Sequence, residues 1–130
     1  MTVFVDTGYY IATIVKRDQW ARAALKAAKA PISPITSSLV VNETISLLQA
    51  RGLLSAALAF LTEARTGSLG QVIHVDESLQ TEAWRLFHRW AGAGATPVDC
   101  ASFAIMSKLG IRKAFTFDAH FRTAGFEILR

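Results

Sequence analysis

Four of the ten acids in this chain fall where carboxylates can do chemistry. Asp6 ends the apolar run Thr2-Val3-Phe4-Val5, and Asp118 ends the run Lys113–Phe117. Asp99 closes Thr96-Pro97-Val98-Asp99, a helix-start pattern. Glu43 is embedded in the run Leu39–Leu48. At about 100° per residue, its i−4 and i+4 neighbours on a helix are Leu39 and Leu47. A carboxylate among leucines is costly to bury unless a cation or another partner compensates its charge. Acids gathered in one cleft repel one another unless metal ions neutralise them. An oxygen-only ligand set suits hard cations such as Mg²⁺ or Mn²⁺. Such a site suits phosphodiester hydrolysis: the metal binds a phosphate oxygen, acidifies an attacking water and stabilises the leaving oxygen.

Each acid also has an ordinary structural explanation. Asp99 is spaced as a capping-box acid behind Thr96, and Asp118 fits a turn after a strand. Asp6 can cap the helix that follows it, and Glu43 can pair with a buried arginine. Spacing alone leaves both readings open.

The elements that must position these residues alternate. Residues 2–6 are too short and too apolar for anything but a buried strand. Helices are expected over about 8–14 and 18–29, the second stopped by Pro31 and Pro34. A very short strand is expected at Ser33–Thr36, then helices over about 38–51 and 53–66. The second of these carries an apolar stripe of Leu54, Ala57, Leu58, Leu61 and Ala64. Gly67-Ser68-Leu69-Gly70 is a turn, Gln71–Val75 a strand, and Asp76 the cap of a helix over about 77–90. Ala91–Ala95 has the most flexible composition. Thr96 as N-cap and Pro97 at the first helical position start the next helix. Gly110, followed by Ile111, is spaced to end it. Strands at Lys113–Phe117 and Phe126–Leu129 complete the chain. Strands alternate with helices and no hairpin dipeptide occurs, which indicates a parallel sheet covered on both faces. Ligands of such sheets bind outside the carboxyl ends of the strands, where the strand order reverses. Asp6 and Asp118 are both expected at that edge.

Composition narrows the class. At 130 residues one domain, 1–130, is expected, large enough for a core without staples. Hydrophobic residues are 52% and charged residues 18%, which excludes intrinsic disorder. No apolar run reaches the ~18–20 residues of a membrane span. Met1-Thr2 offers no basic residue and Asp6 interrupts the first apolar segment, so a signal peptide is not expected. The lone Cys100 excludes an internal disulfide and a cysteine-based zinc site. A soluble, cytoplasmic protein is the expectation. The formal charge of +4 hints at a polyanionic partner, although a solvated surface explains the scattered basic residues equally simply.

Taken together, Phe4-Val5-Asp6-Thr7, Val41-Asn42-Glu43, Thr96-Pro97-Val98-Asp99 and Thr116-Phe117-Asp118-Ala119-His120-Phe121 resemble the PIN-domain ribonucleases. The motifs occur in the family's order, at its spacing and over the whole chain. They are most similar to the VapC-like toxins of toxin–antitoxin pairs. The resemblance implies a three-layer α/β/α fold with a central, mostly parallel sheet, and a Mg²⁺- or Mn²⁺-dependent endoribonuclease leaving 5′-phosphate and 3′-hydroxyl ends. It implies that Asp6, Glu43, Asp99 and Asp118 form the acidic quartet. Asp6 and Asp99 would be the most direct metal ligands, and Asp118 would bind directly or through water. Glu43 would hold metal-bound water or a second ion. Thr7 and Thr116 would donate hydrogen bonds around the metal or contact phosphate. It further implies an RNA substrate, a homodimer and a cognate antitoxin protein, with the helices at about 38–66 as candidate interfaces.

Two positions depart from the family pattern. Gly8 stands where a serine is frequent. His120 stands where a further acid sometimes follows; a histidine there could touch phosphate or metal, but a surface or packing role is its ordinary expectation. Other chemistries on this fold class fit worse. A receiver domain needs an acid pair after the first strand, a haloacid-dehalogenase-type phosphatase needs Asp-x-Asp, and Gly92-Ala93-Gly94-Ala95 lacks the Lys-Ser/Thr of a phosphate loop. The remaining rivals are a non-catalytic RNA- or protein-binding module on the same fold, and a housekeeping RNA-processing nuclease without an antitoxin.

Overall fold

The computed structural model describes residues 1–15 and 32–129. The helix expected over about 18–29, its stop at Pro31 and the basic residues from Lys16 to Lys29 lie outside the described residues. Among the described residues, five strands form one sheet: β1 (Thr2–Val5), β2 (Ser33–Ser37), β3 (Gln71–Ile73), β4 (Lys113–Phe115) and β5 (Glu127–Leu129). Their spatial order is β3-β2-β1-β4-β5, and every pairing is parallel. The helices are α1 (Thr7–Val15), α2 (Ser38–Ala50), α3 (Leu54–Thr66), α4 (Glu77–Trp90), α5 (Pro97–Leu109) and the short α6 (His120–Thr123). A single 3₁₀ turn, Ala91–Ala93, follows α4 and ends at Gly94, whose φ of 97° places it in the left-handed region.

The chain winds outward from β1 to β3, then returns past β1 to β4. Right-handed crossovers therefore place α1–α3 on one face of the sheet and α4–α6 on the other. The packing agrees: α1 lies on α2, α2 on α3, α4 on α5, and α5 on α6. Val3, Phe4 and Val5 are all fully buried, as expected for a central strand covered on both faces. On the α5–α6 side, Phe4 stacks with Phe121, which meets Phe103 edge to face at 5.0 Å. On the α1–α3 side, Tyr10 of α1 meets Phe60 of α3 edge to face, also at 5.0 Å.

Local chemistry sets the helix ends. Ser37 accepts from the Val40 amide at the start of α2, and Asp76 from the Leu79 amide at the start of α4. At the end of α5, Gly110 has φ 69°, the Ile111 amide donates to Met106 O and the Gly110 amide to Ser107 O. That is the paired closure expected from Leu-Gly-Ile.

One expectation fails in part. Of the stripe on α3, Ala57 is buried and Leu61 and Ala64 are half-buried, but Leu54 and Leu58 are 55% and 57% exposed. The helix turns Ala57 and Phe60 into the core instead. Leu54 and Leu58 point outward, and Leu47 and Leu53 of the same helical hairpin are exposed as well.

Because Phe121 has no exposed surface and links Phe4 to Phe103, Phe121→Ala is expected to cost about 3–5 kcal/mol. Urea unfolding measures this; a loss below about 1 kcal/mol would show that this aromatic cluster does not anchor α6.

Candidate active site

β1 and β4 are adjacent, and the strand order reverses between them. Asp6 and Thr116 leave their carboxyl ends side by side. The Asp6 amide donates to Phe115 O (3.0 Å), extending the ladder by one residue beyond β1. Asp6 also heads α1, its carbonyl accepting from Tyr9 at 3.2 Å. Its carboxylate is only 6% exposed. Thr116 Oγ1 donates to Asp6 Oδ2 (2.8 Å) and accepts from the Asp118 amide (3.0 Å). One buried hydroxyl thus ties the acids after β1 and β4 together.

Asp99 reaches the same edge from the opposite helical layer. It completes the capping box: the Thr96 amide donates to Asp99 Oδ2 (2.8 Å), and the Asp99 amide donates to Thr96 Oγ1 (3.2 Å). This holds one carboxylate oxygen and leaves the other for a neighbour. Asp118 Oδ1 accepts from the His120 amide at 2.9 Å, the turn expected after a strand.

His120 joins the acids. Among the described residues, Asp99, Asp118 and His120 are the group whose potential ligand atoms all lie within 4.8 Å of one another. His120 Nε2 is 3.0 Å from Ala93 O, and a carbonyl oxygen only accepts, so Nε2 carries the hydrogen. Nδ1 is buried, 2.6 Å from Asp118 Oδ1, at an angle that makes no regular hydrogen bond. A histidine whose one ring N–H is tied to a backbone carbonyl while the other nitrogen faces carboxylates has the arrangement of a metal ligand. Gly94 allows this approach: a β-carbon there would lie 3.0 Å from Nε2.

Burial raises the Asp6 pKa from 3.8 to about 6, with smaller contributions from the charges of Asp99 and Asp118; hydrogen bonds from Thr116 and Thr7 oppose the shift. Burial also raises Asp99, reinforced by Asp118 and opposed by the Thr96 bonds and His120. Thr7 Oγ1 is buried beside Asp6 with no partner. Crowded, desolvated carboxylates, an imidazole nitrogen facing a carboxylate without a regular hydrogen bond, and an orphaned hydroxyl are together a set that a divalent cation and its waters would satisfy.

The structure gathers Asp6, Asp99, Asp118 and Thr116, with Thr7 alongside. Glu43 stands apart. It is half-exposed, and the neighbouring Leu47 is 39% exposed, so the leucine face does not seal it from water. α2 starts at the carboxyl edge and runs back along the sheet, which carries Glu43 roughly 7–8 Å from the helix start. Among the described residues it is not within the group of Asp99, Asp118 and His120. His120, for which the sequence offers a surface or packing role as the ordinary expectation, lies in this group. The available signal was the pairing of Asp-x-His with an Ala-Gly-rich loop flexible enough to meet the ring.

The PIN-domain family profile matches residues 3–127. The chain belongs to the PIN-domain family. It is 36% identical over 130 residues to the 23S rRNA-specific endonuclease VapC20 of Mycobacterium tuberculosis, with 98% of each chain covered. The crystal structure of M. tuberculosis VapC20, described as a sarcin–ricin loop cleaving toxin, superposes with a TM-score of 0.83, 35% identity and 95% of each chain covered. VapBC2 from Rickettsia felis, bound to a DNA fragment from its promoter, has a TM-score of 0.76 at 13% identity, over 99% of this chain and 98% of that one. That likeness is one of fold. The five-stranded parallel sheet between two helical layers is thus the PIN arrangement.

The raised Asp6 pKa gives a PIN site with a pH signature. Between 3.8 and about 6 the unfolded chain has lost this proton while the folded chain retains it. Metal-free stability therefore falls as pH rises through that window, and the full penalty, about 3 kcal/mol, is present above it. Asp6→Asn is expected to flatten this dependence and raise the metal-free Tm at pH 7.5. Thermal melts in EDTA from pH 4 to 8 test it; an unchanged slope in the variant would refute the assignment.

Proposed function

We propose that the chain is a divalent-metal-dependent endoribonuclease that cleaves 23S rRNA and acts as the toxin of a toxin–antitoxin pair. The observation that carries this reading is the meeting of Asp6, Asp99 and Asp118 with His120 at the switch point of the sheet. The VapC20 relative, matched over nearly its whole length, supports the RNA class, and its sarcin–ricin loop is the proposed target.

Asp6, Asp99, Asp118 and His120 would hold Mg²⁺ or Mn²⁺. When bound, the ion supplies Lewis acidity toward water and phosphate oxygens and offsets the negative charge that gathers there. The chain's own groups do the rest. Thr116 holds the Asp6 carboxylate by hydrogen bond, and Thr96 fixes the rotation of Asp99. His120 fixes Asp118 through its backbone amide. Thr7 Oγ1, buried and unpaired, is placed to donate to a phosphate oxygen or to water. Glu43, set back on α2, is assigned to hold and orient water.

Leu47, Leu54 and Leu58 leave an apolar patch on the α2–α3 hairpin. Such a patch supports contact with a protein, here an antitoxin or a second copy in a homodimer.

Purified chain with Mn²⁺ or Mg²⁺ is expected to cut a sarcin–ricin stem-loop RNA, and excess EDTA to stop it. Asp6→Asn is expected to lower the rate at least about 100-fold, the scale of losing an electrostatic group at a reacting centre, without loss of fold by circular dichroism. Cutting that survives both EDTA and the substitution would overturn the metal-nuclease reading. His120→Ala is expected to weaken Mn²⁺ binding by about 10- to 100-fold in a calorimetric titration; unchanged affinity would remove it from the ligand set.

A further inference from the structure

Resting on the nuclease reading above, we propose that Phe117 is a stacking platform for a nucleobase of the RNA, one that flanks the phosphate being cut.

Phe117 lies between the two polar residues that organise the site. Thr116 before it holds Asp6, and Asp118 after it belongs to the cluster of potential ligands. Side chains leaving a strand alternate in direction. Thr116 and Asp118 carry the polar contacts, whereas Phe115 and Phe117 both lie against Tyr9. Phe115 and Tyr9 are buried, with ring centres 4.8 Å apart. Phe117 continues the column, 6.0 Å from Tyr9 and within 24° of parallel to it. There the column ends: Phe117 is 51% exposed.

A half-exposed phenyl ring is by itself ordinary on a protein surface. This ring is backed by two further aromatic rings, so its orientation is set before any ligand arrives. Gly8 borders the ring. A β-carbon at position 8 would come within 4.0 Å of Phe117 Cδ2, so a longer side chain there would reach the ring. The acids cannot attract the phosphate of RNA by charge, and a base contact next to them supplies affinity that they do not. Base–aromatic stacking does this without reading sequence, because every base has a π-face. A pre-set ring also loses little rotamer freedom on binding.

The test uses the full chain carrying Asp6→Asn, which stops cleavage, and a fluorescein-labelled sarcin–ricin stem-loop RNA in Mg²⁺. Adding Phe117→Leu is expected to raise Kd about fivefold or more. Phe117→Trp is expected to restore it to within about twofold. Replacing one nucleotide at a time with an abasic one should reveal a position next to the cleavage site. At that position the abasic RNA itself binds more weakly, and Phe117→Leu then changes Kd less than twofold. A merely structural role would not show this dependence on one base. In the cleaving chain, Phe117→Leu is expected to raise KM more than it lowers kcat. The proposal is overturned if Phe117→Leu binds within twofold of its parent, if its loss is the same on every abasic RNA, or if the parent does not bind RNA. Cleavage by the unsubstituted chain is scored separately. Cleavage with an unchanged Phe117→Leu affinity would remove the stacking site and leave the nuclease reading intact.

Discussion

Carboxylates repel one another, and this fold holds three of them at one end of its sheet. The repulsion and burial are visible in Asp6, whose pKa is pushed up to about 6. Nothing in the acids themselves favours that arrangement. It persists because the backbone of each is committed elsewhere: Asp6 to β4 and α1, Asp99 to the first turn of α5, and Asp118 to the turn after β4. The core between the sheet and its two helical layers supplies the free energy that keeps them there. A cation at this edge would remove a cost the fold already bears, so binding the ion would also stabilise the chain.

The structural and chemical explanations of these acids turn out not to compete. Asp99 is a capping-box acid through one oxygen, and its second oxygen is free for the cluster. Asp118 makes the turn to the His120 amide and also joins the group of potential ligands. Asp6 heads α1 and sits at the centre of the charge. The local bond restricts the rotation of each carboxylate, which is the orientation that a ligand set requires. Thr116 extends the same economy, accepting from Asp118 and donating to Asp6 through a single hydroxyl.

Features whose causes lie within a few neighbouring residues were legible in the chain. Thr96-Pro97-Val98-Asp99 and Leu109-Gly110-Ile111 each carry their own hydrogen-bond partners, and both ends of α5 formed as expected. The run Val3-Phe4-Val5 has no polar face, so it belonged in the centre of a covered sheet. The stripe on α3 was less legible. Leu54 and Leu58 share helical spacing with Ala57, but which side of a helix is buried depends on what packs against it. Glu43 depends on the same kind of information: it is half-exposed and its neighbour Leu47 is 39% exposed, so how far the leucine face seals it is set by packing.

His120 and Phe117 mark the boundary between the two kinds of information. The imidazole gains its position from Ala93 and Gly94, which lie 26 and more residues earlier in the chain. The phenyl ring gains its backing from Tyr9, brought beside it because β1 and β4 are neighbours. By itself, the sequence determined the elements, their caps, the parallel α/β class and the candidate acids, because propensity, periodicity and capping act over a few residues. Only the tertiary structure decided which acids meet, which hydroxyl joins them, which imidazole nitrogen faces them and which aromatic ring stays open to solvent. Those outcomes depend on strand order and crossover handedness, which bring together residues more than a hundred positions apart, such as Asp6 and Thr116.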